Sequence, residues 1–156
     1  LSFFVIIRGP LGAGKTTLAH SLAEEVGAEV VSIDPILEAW EWDGGSESLF
    51  LKANIVAVQQ GREVIGRGIP VIFDGNFYWR SAIEGLVDRL PFDHRVFTLK
   101  VPLQVCIERD RGRSISYGEK GVREVFEKAT RFDYGITVDA CGDVPSVVRA
   151  IRAQLP

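Results

Sequence analysis

Apolar positions in this chain come in two arrangements, short unbroken runs and recurrences at every third or fourth residue. Phe3 to Ile7 is an unbroken run and reads as a buried strand. Leu18, Leu22 and Val26 then mark one face of a helix from Lys15 to about Val26, which Gly27 stops. A β-branched run, Glu29 to Ile33, predicts a second strand ending at Asp34-Pro35. Pro35 starts a short helix through Trp40, which glycines 44 and 45 break. Ser46 or Ser48 caps the next helix, which carries Phe50, Ala53, Ala57 and Val64 on one side. Gly68 and Pro70 introduce a third strand, Val71 to Asp74, followed by a helix from about Trp79 to Arg89. A fourth strand runs from Arg95 to Val101, and Pro102 opens a helix through Leu103, Cys106 and Ile107. Glu108 to Lys120 is polar, glycine-punctuated and without an obvious core face. Helix returns at Val122, Val125, Phe126 and Ala129. Gly135 to Val138 predicts a fifth strand, and Val144, Val147, Val148, Ile151 and Leu155 line a last helix.

Short apolar strands alternating with helices predict an α/β fold with a parallel sheet covered on both faces. In such sheets ligands sit beyond the carboxyl ends of the strands. The residues after strands one, two and three should therefore open onto one crevice.

The first of these connections has the most specific chemistry. Gly9-Pro10-Leu11-Gly12-Ala13-Gly14-Lys15-Thr16 fits G-x-x-x-x-G-K-[ST], the phosphate-binding P-loop. Glycines let the backbone curl so that successive N–H groups face inward as an anion nest. The helix that starts there adds its unpaired amides and positive dipole end. Lys15 is placed to reach β- and γ-phosphate oxygens, and the Thr16 hydroxyl to ligate Mg²⁺. With Thr17 on the first helical turn, Gly9 to Thr17 forms the expected ATP-binding set.

Composition narrows the class. The chain has 156 residues, 46% hydrophobic and 25% charged, which fits a single globular domain over 1–156. Its net charge of −3 argues against broad electrostatic binding to nucleic acid or an anionic membrane. The two cysteines, Cys106 and Cys141, lack a CxxC or histidine pattern and read as reduced thiols of a cytoplasmic protein. No apolar run has the length of a membrane span, and the first residues lack the pattern of a secretory leader. Leu1 is not an initiator residue. His20 and His94 have no partner pattern and are assigned no role.

Two acidic positions sit at predicted strand ends. Asp34 has a local reading as helix N-cap before Pro35 and a chemical one as base or hydroxyl anchor for a phosphoryl acceptor. Asp74 reads as the acidic end of a Walker-B-type strand holding Mg²⁺, or as a turn aspartate before Gly75. Asn76 and Arg80 are neighbours that either touch the acceptor or serve structure. Arg109-Asp110-Arg111-Gly112-Arg113 is the richest basic cluster. Arg109 and Arg113 share a helix face if helix continues there, and a mobile lid over about 108–120 could bring them onto the phosphates. The alternative is a solvated charged surface. Arg123 and Arg131 are weaker candidates. Trp40, Trp42, Phe77, Tyr78 and Trp79 place aromatics beside both aspartates, as core or as an acceptor platform.

The P-loop, Ser32 to Trp40, Val71 to Phe77, Cys106 to Arg113 and Ile136 to Ile151 together resemble the small P-loop kinases. That group includes adenylylsulfate kinase, chloramphenicol phosphotransferase, zeta toxins and polynucleotide 5′-kinases. The resemblance implies a five-stranded parallel sheet in order 2-3-1-4-5 and an arginine-bearing lid. It implies an aspartate base after the second strand, matching Asp34. The expected activity is transfer of the γ-phosphoryl group of ATP, with Mg²⁺, to a hydroxyl of a small molecule. A nucleic-acid 5′-hydroxyl is the alternative acceptor, and an ATP-binding module without transfer chemistry the rival from another class. The sequence leaves the oligomeric state open.

Overall fold

A computed structural model describes residues 2–40 and 46–156. The strands are β1 (Phe3–Arg8), β2 (Glu29–Ser32), β3 (Val71–Gly75), β4 (Asp93–Lys100) and β5 (Ile136–Asp139). They form one sheet in the order β2-β3-β1-β4-β5, with all neighbours parallel, as expected. The helices are α1 (Lys15–Val26), α2 (Asp34–Ala39), α3 (Glu47–Gly66), α4 (Arg80–Arg89), α5 (Leu103–Arg111), α6 (Gly118–Ala129) and α7 (Val144–Arg152).

The period of two along β1 divides the core. Phe4 and Ile6 face one side, where they join Phe50, Ala53 and Ala57 of α3 and Ile83 and Leu86 of α4. Val5 and Ile7 face the other, with Leu18 and Leu22 of α1, Cys106 and Ile107 of α5, and Val148 and Ile151 of α7. Both faces of the central strands β1 and β3 are therefore covered, which is why their apolar runs are unbroken. On the first face α3 comes so close that a methyl group on Gly61 would lie 2.6 Å from the Phe73 ring.

Local chemistry sets the helix ends. Gly27, at φ +69°, ends α1 and returns its N–H to the Ala23 carbonyl. The Ser46 side chain accepts from Leu49 N–H at the start of α3, and Asp143 accepts from Ser146 N–H at the start of α7. The expected break at Gly44 and Gly45, like Trp42, lies outside the described residues.

Two expectations need correction. The stretch 108–120 does have an inward-facing residue: α5 continues to Arg111, and Asp110 is buried. Its carboxylate accepts from Ser116 Oγ at 2.6 Å, Tyr117 N–H at 3.0 Å and Gly118 N–H at 3.1 Å. A polar side chain satisfied by a turn leaves no apolar period to read. Because α5 ends at Arg111, Arg113 lies in the following turn and does not share a helix with Arg109.

Candidate active site

The P-loop crosses from the end of β1 to the start of α1, and its glycines are needed for two separate reasons. Gly12 and Gly14 have φ of +85° and +86°, in the left-handed region. At Gly12 a Cβ would also meet the Cys106 carbonyl oxygen at 2.8 Å, so the loop rests directly on α5. Gly9 is tight as well, with Leu99 Cβ 3.0 Å from where its own would stand. Ala13 is buried, its N–H donating to the Pro10 carbonyl at 3.1 Å, and Leu11 packs against the core. No side chain caps α1 and its first turn carries no acid, so its leading amides and dipole face the loop uncompensated. Thr16 and Thr17 are exposed on that turn.

Lys15 is buried and reaches back across the loop, its Nζ donating to the Pro10 carbonyl at 3.1 Å. Burial lowers its pKa, opposed first by Asp34 and then by Asp74, while the Arg113 charge lowers it further. Four of the residues singled out in the sequence thus act on one another electrostatically.

Asp34 and Asp74 are brought together by the β2–β3 ladder. Ser32 pairs with Asp74, and the next residue, Ile33, donates its N–H to the Asp74 carbonyl at 2.9 Å. Asp74 also lies opposite Ile7 of β1, one strand from the P-loop. Its Oδ2 is enclosed and has no hydrogen-bond partner, nor has Oδ1 of Asp34. Burial raises the Asp34 carboxyl to about 6, partly offset by Lys15, and the Asn76 N–H favours its charged form. The Asp34 side chain does not cap α2; the helix begins from Ile33 with no side-chain cap.

The aromatic residues divide. Phe77 is fully buried and stacks edge-on with Phe50 at 5.2 Å, and Trp79 packs against the same core. Tyr78 is buried too, but it borders the site. Its phenol is held above the usual value by burial and by the Asp34 carboxylate, and Lys128 Nζ stands 5.8 Å from its ring centre. Trp40 is at the exposed end of α2. Arg80 is outside this group, its guanidinium stacked over Phe132 at 4.8 Å and Tyr134 at 5.7 Å.

Arg109 and Arg113 differ in setting. Arg109 Nη1 donates to the carbonyls of Gly12 at 3.2 Å and Ala13 at 3.4 Å, and Nη2 donates to that of Ala140 at 2.9 Å. It joins the P-loop to the connection between β5 and α7. Arg113 is exposed, with its guanidinium 5.3 Å from the Tyr117 ring centre. Arg123 is paired with Glu119 at 2.8 Å, and Arg131 is exposed. A cavity of about 270 Å³ opens beside Arg109, bounded by Ala13, Gly14, Thr17, Ala140, Gly142 and Val144. A larger one, about 550 Å³, lies between β5 and α6 and includes neither P-loop nor Asp34 nor Asp74, so it is not the chemical centre.

Arg8 carries no sequence signal beyond a charge ending an apolar strand. It is fully buried, adjoins Gly9 and hydrogen-bonds to Phe77, Thr98, Ala129 and Phe132.

Comparison with known proteins gives the family and the fold. The family model described as AAA domain (AAA_33) matches residues 4–132. The chain is 25% identical over 162 residues to deoxyguanosine kinase of Bacillus subtilis (strain 168), covering 86% of this chain and 78% of that protein. A sugar kinase structure from Janibacter sp. HTCC2649 superposes with a TM-score of 0.78 at 17% identity, covering 98% of this chain and 94% of that one. A gluconokinase structure from Sinorhizobium meliloti 1021 does so with a TM-score of 0.72 at 18% identity, covering 96% and 89%. These matches support the broad resemblance to P-loop kinases but not the narrower group of adenylylsulfate kinase, chloramphenicol phosphotransferase, zeta toxin and polynucleotide 5′-kinase. The chain, with its P-loop kinase fold, belongs to the AAA_33 family of AAA domains.

Proposed function

We propose that this protein is an ATP-dependent kinase that transfers the γ-phosphoryl group to a hydroxyl of a small molecule. The observation that carries the reading is the grouping of Lys15, Asp34 and Asp74 at the ends of three adjacent strands, within one another's fields. The relatives point the same way, since the aligned and superposed proteins include a deoxyguanosine kinase, a sugar kinase and a gluconokinase.

In this reading the free backbone amides of the loop and of the first turn of α1 bind the phosphates, and Lys15 turns from the Pro10 carbonyl to the γ-phosphoryl oxygens. The base lies in the cavity beside Arg109, whose guanidinium fixes both its walls. The enclosed, partnerless Oδ2 of Asp74 fits a cation-supporting oxygen. Thr16 and Asp74 would hold Mg²⁺, which supplies charge neutralisation at the phosphate oxygens when bound. Asp34 accepts a hydrogen bond from the acceptor hydroxyl, orients its oxygen toward the phosphorus and takes its proton as the new P–O bond forms and the bond from the γ-phosphorus to the β–γ bridging oxygen breaks, ADP leaving with that electron pair. A carboxyl near 6 is ionised at neutral pH and can still hold that proton briefly. Arg113, free of a helix, moves over the phosphates with the turn between α5 and α6 and excludes water.

The test is a screen of γ-labelled ATP against nucleosides, sugars, hydroxy acids, antibiotics and 5′-hydroxyl oligonucleotides. Label is expected on a small-molecule hydroxyl. Label on the oligonucleotides alone would replace this acceptor class with nucleic acid.

A further inference from the structure

Arg8 is the one fully buried arginine among the described residues, and no carboxylate lies within ion-pair distance of it there. Burial lowers its pKa to about 10, with Asp133 opposing, so it remains charged at neutral pH. Buried charges are costly unless fully hydrogen-bonded, and here the partners are mostly backbone carbonyls. Nε and Nη2 both donate to the Phe77 carbonyl at 3.3 Å. Nη2 also donates to the Ala129 carbonyl at 3.0 Å. Nη1 donates to Thr98 Oγ1 at 3.1 Å and to the Phe132 carbonyl at 3.2 Å, and the guanidinium carbon stands 4.4 Å from the Phe132 ring centre.

These partners belong to different working parts. Phe77 is the only non-glycine residue with positive φ among the described residues, at +45°, a conformation that is strained for a bulky side chain. It sits between Asn76, whose N–H favours the charged Asp34, and Tyr78, whose phenol is held up by burial and by that carboxylate's charge. Ala129 ends α6 and Phe132 follows it, and α6 begins inside the stretch, about 108–120, expected to form a lid. The fork thus ties a strained turn to the C-terminal end of α6, one residue before the P-loop begins.

We propose that Arg8 is a positioning residue that sets the Asn76–Tyr78 turn for the acceptor and couples it to the C-terminal end of α6. The kinetic part of this rests on the kinase reading above; the coupling does not. A lysine cannot reproduce the clamp, because a single ammonium cannot meet four oxygens in the plane of a guanidinium fork.

Two measurements decide it. In the wild-type protein without any ligand, native-state hydrogen exchange at increasing denaturant should show the amides of 76–78 and 130–134 opening as one unit, with a common free energy and denaturant slope. Independent opening of the two segments would overturn the proposal, whether or not any kinase activity exists. For Arg8→Lys, assayed well below its melting temperature with an acceptor from the screen, the KM for acceptor should rise at least about 10-fold while that for ATP stays within about twofold. A folded variant with lowered stability and both KM values unchanged would make Arg8 a purely structural residue. Should Arg8→Lys not fold, the exchange experiment alone decides. Absence of transfer by the wild-type protein would instead count against the kinase reading and leave the exchange result standing.

Discussion

The N–H of Ile33 donates to the carbonyl of Asp74 at 2.9 Å, and this bond brings Asp34 toward Asp74 at the carboxyl end of the sheet. The last β2–β3 pairing, Ser32 with Asp74, continues one residue past the end of β2. A slip of β2 by one residue would reverse the faces of its own side chains and carry Asp34 out of step with Asp74. The two carboxylates are therefore placed by strand register, and they differ in surroundings: Asp74 is inside the sheet, Asp34 at the first turn of a short helix.

That difference separates their roles. Asp34→Asn keeps the shape but removes the proton acceptor, so transfer should fall about 10- to 10²-fold with Mg·ATP affinity nearly intact. Asp74→Asn should raise the Mg²⁺ concentration for half-maximal activity. Metal titrations of turnover in both variants test this, and the reverse pattern would exchange the assignments.

The same carboxyl gives a pH signature. With the Asp34 value near 6, kcat should decline as pH falls through about 6 along a single ionisation, and that limb should vanish in Asp34→Asn. Stability runs the other way. A folded-state value raised above the unfolded one means the native state binds the proton more tightly, so stability is lost as pH rises through about 6. Asp34→Asn should therefore melt higher than wild type above pH 7 and gain little at pH 4, which thermal scans at both values will check.

Lys15→Ala removes the charge that both aspartates act on. Turnover should fall by at least about 10²-fold, the scale of losing one strong transition-state contact. Isothermal titration with ATP should show weakened binding in the same variant. Full activity there would remove the P-loop from the mechanism.

Arg109 and Arg113 should behave differently. Arg109 joins the P-loop carbonyls to Ala140, so Arg109→Ala should weaken ADP binding by about 10-fold, the loss expected of charge-assisted hydrogen bonds. Arg113→Ala should leave ADP affinity nearly unchanged and reduce turnover. Equal effects of the two substitutions on ADP binding would contradict the division.

Much of this arrangement is legible in the sequence because it is local. The P-loop spacing, the apolar runs and the glycine stops each depend on a few adjacent residues, and they place β1, α1 and the strand-end aspartates. What escapes is set by partners far along the chain. Arg8 meets Ala129 and Phe132, 121 and 124 residues away, and nothing near it in sequence signals a carbonyl cage. Asp110 is hidden in a charge run because its burial is satisfied by a turn six to eight residues later. The N-cap reading of Asp34 is locally sound but yields to the β2–β3 ladder, which draws the carboxylate toward Lys15.

The most direct test of the central claim follows the γ-phosphoryl group itself. Wild-type protein, Mg²⁺ and γ-labelled ATP are incubated with the acceptor pool, and label and ADP are measured together, with Lys15→Ala run in parallel. The account predicts label on a small-molecule hydroxyl, one ADP formed per label transferred, and loss of both in the variant. ATP that binds to the wild-type protein yet keeps its label across the whole pool would contradict it, leaving a nucleotide-binding module without transfer chemistry.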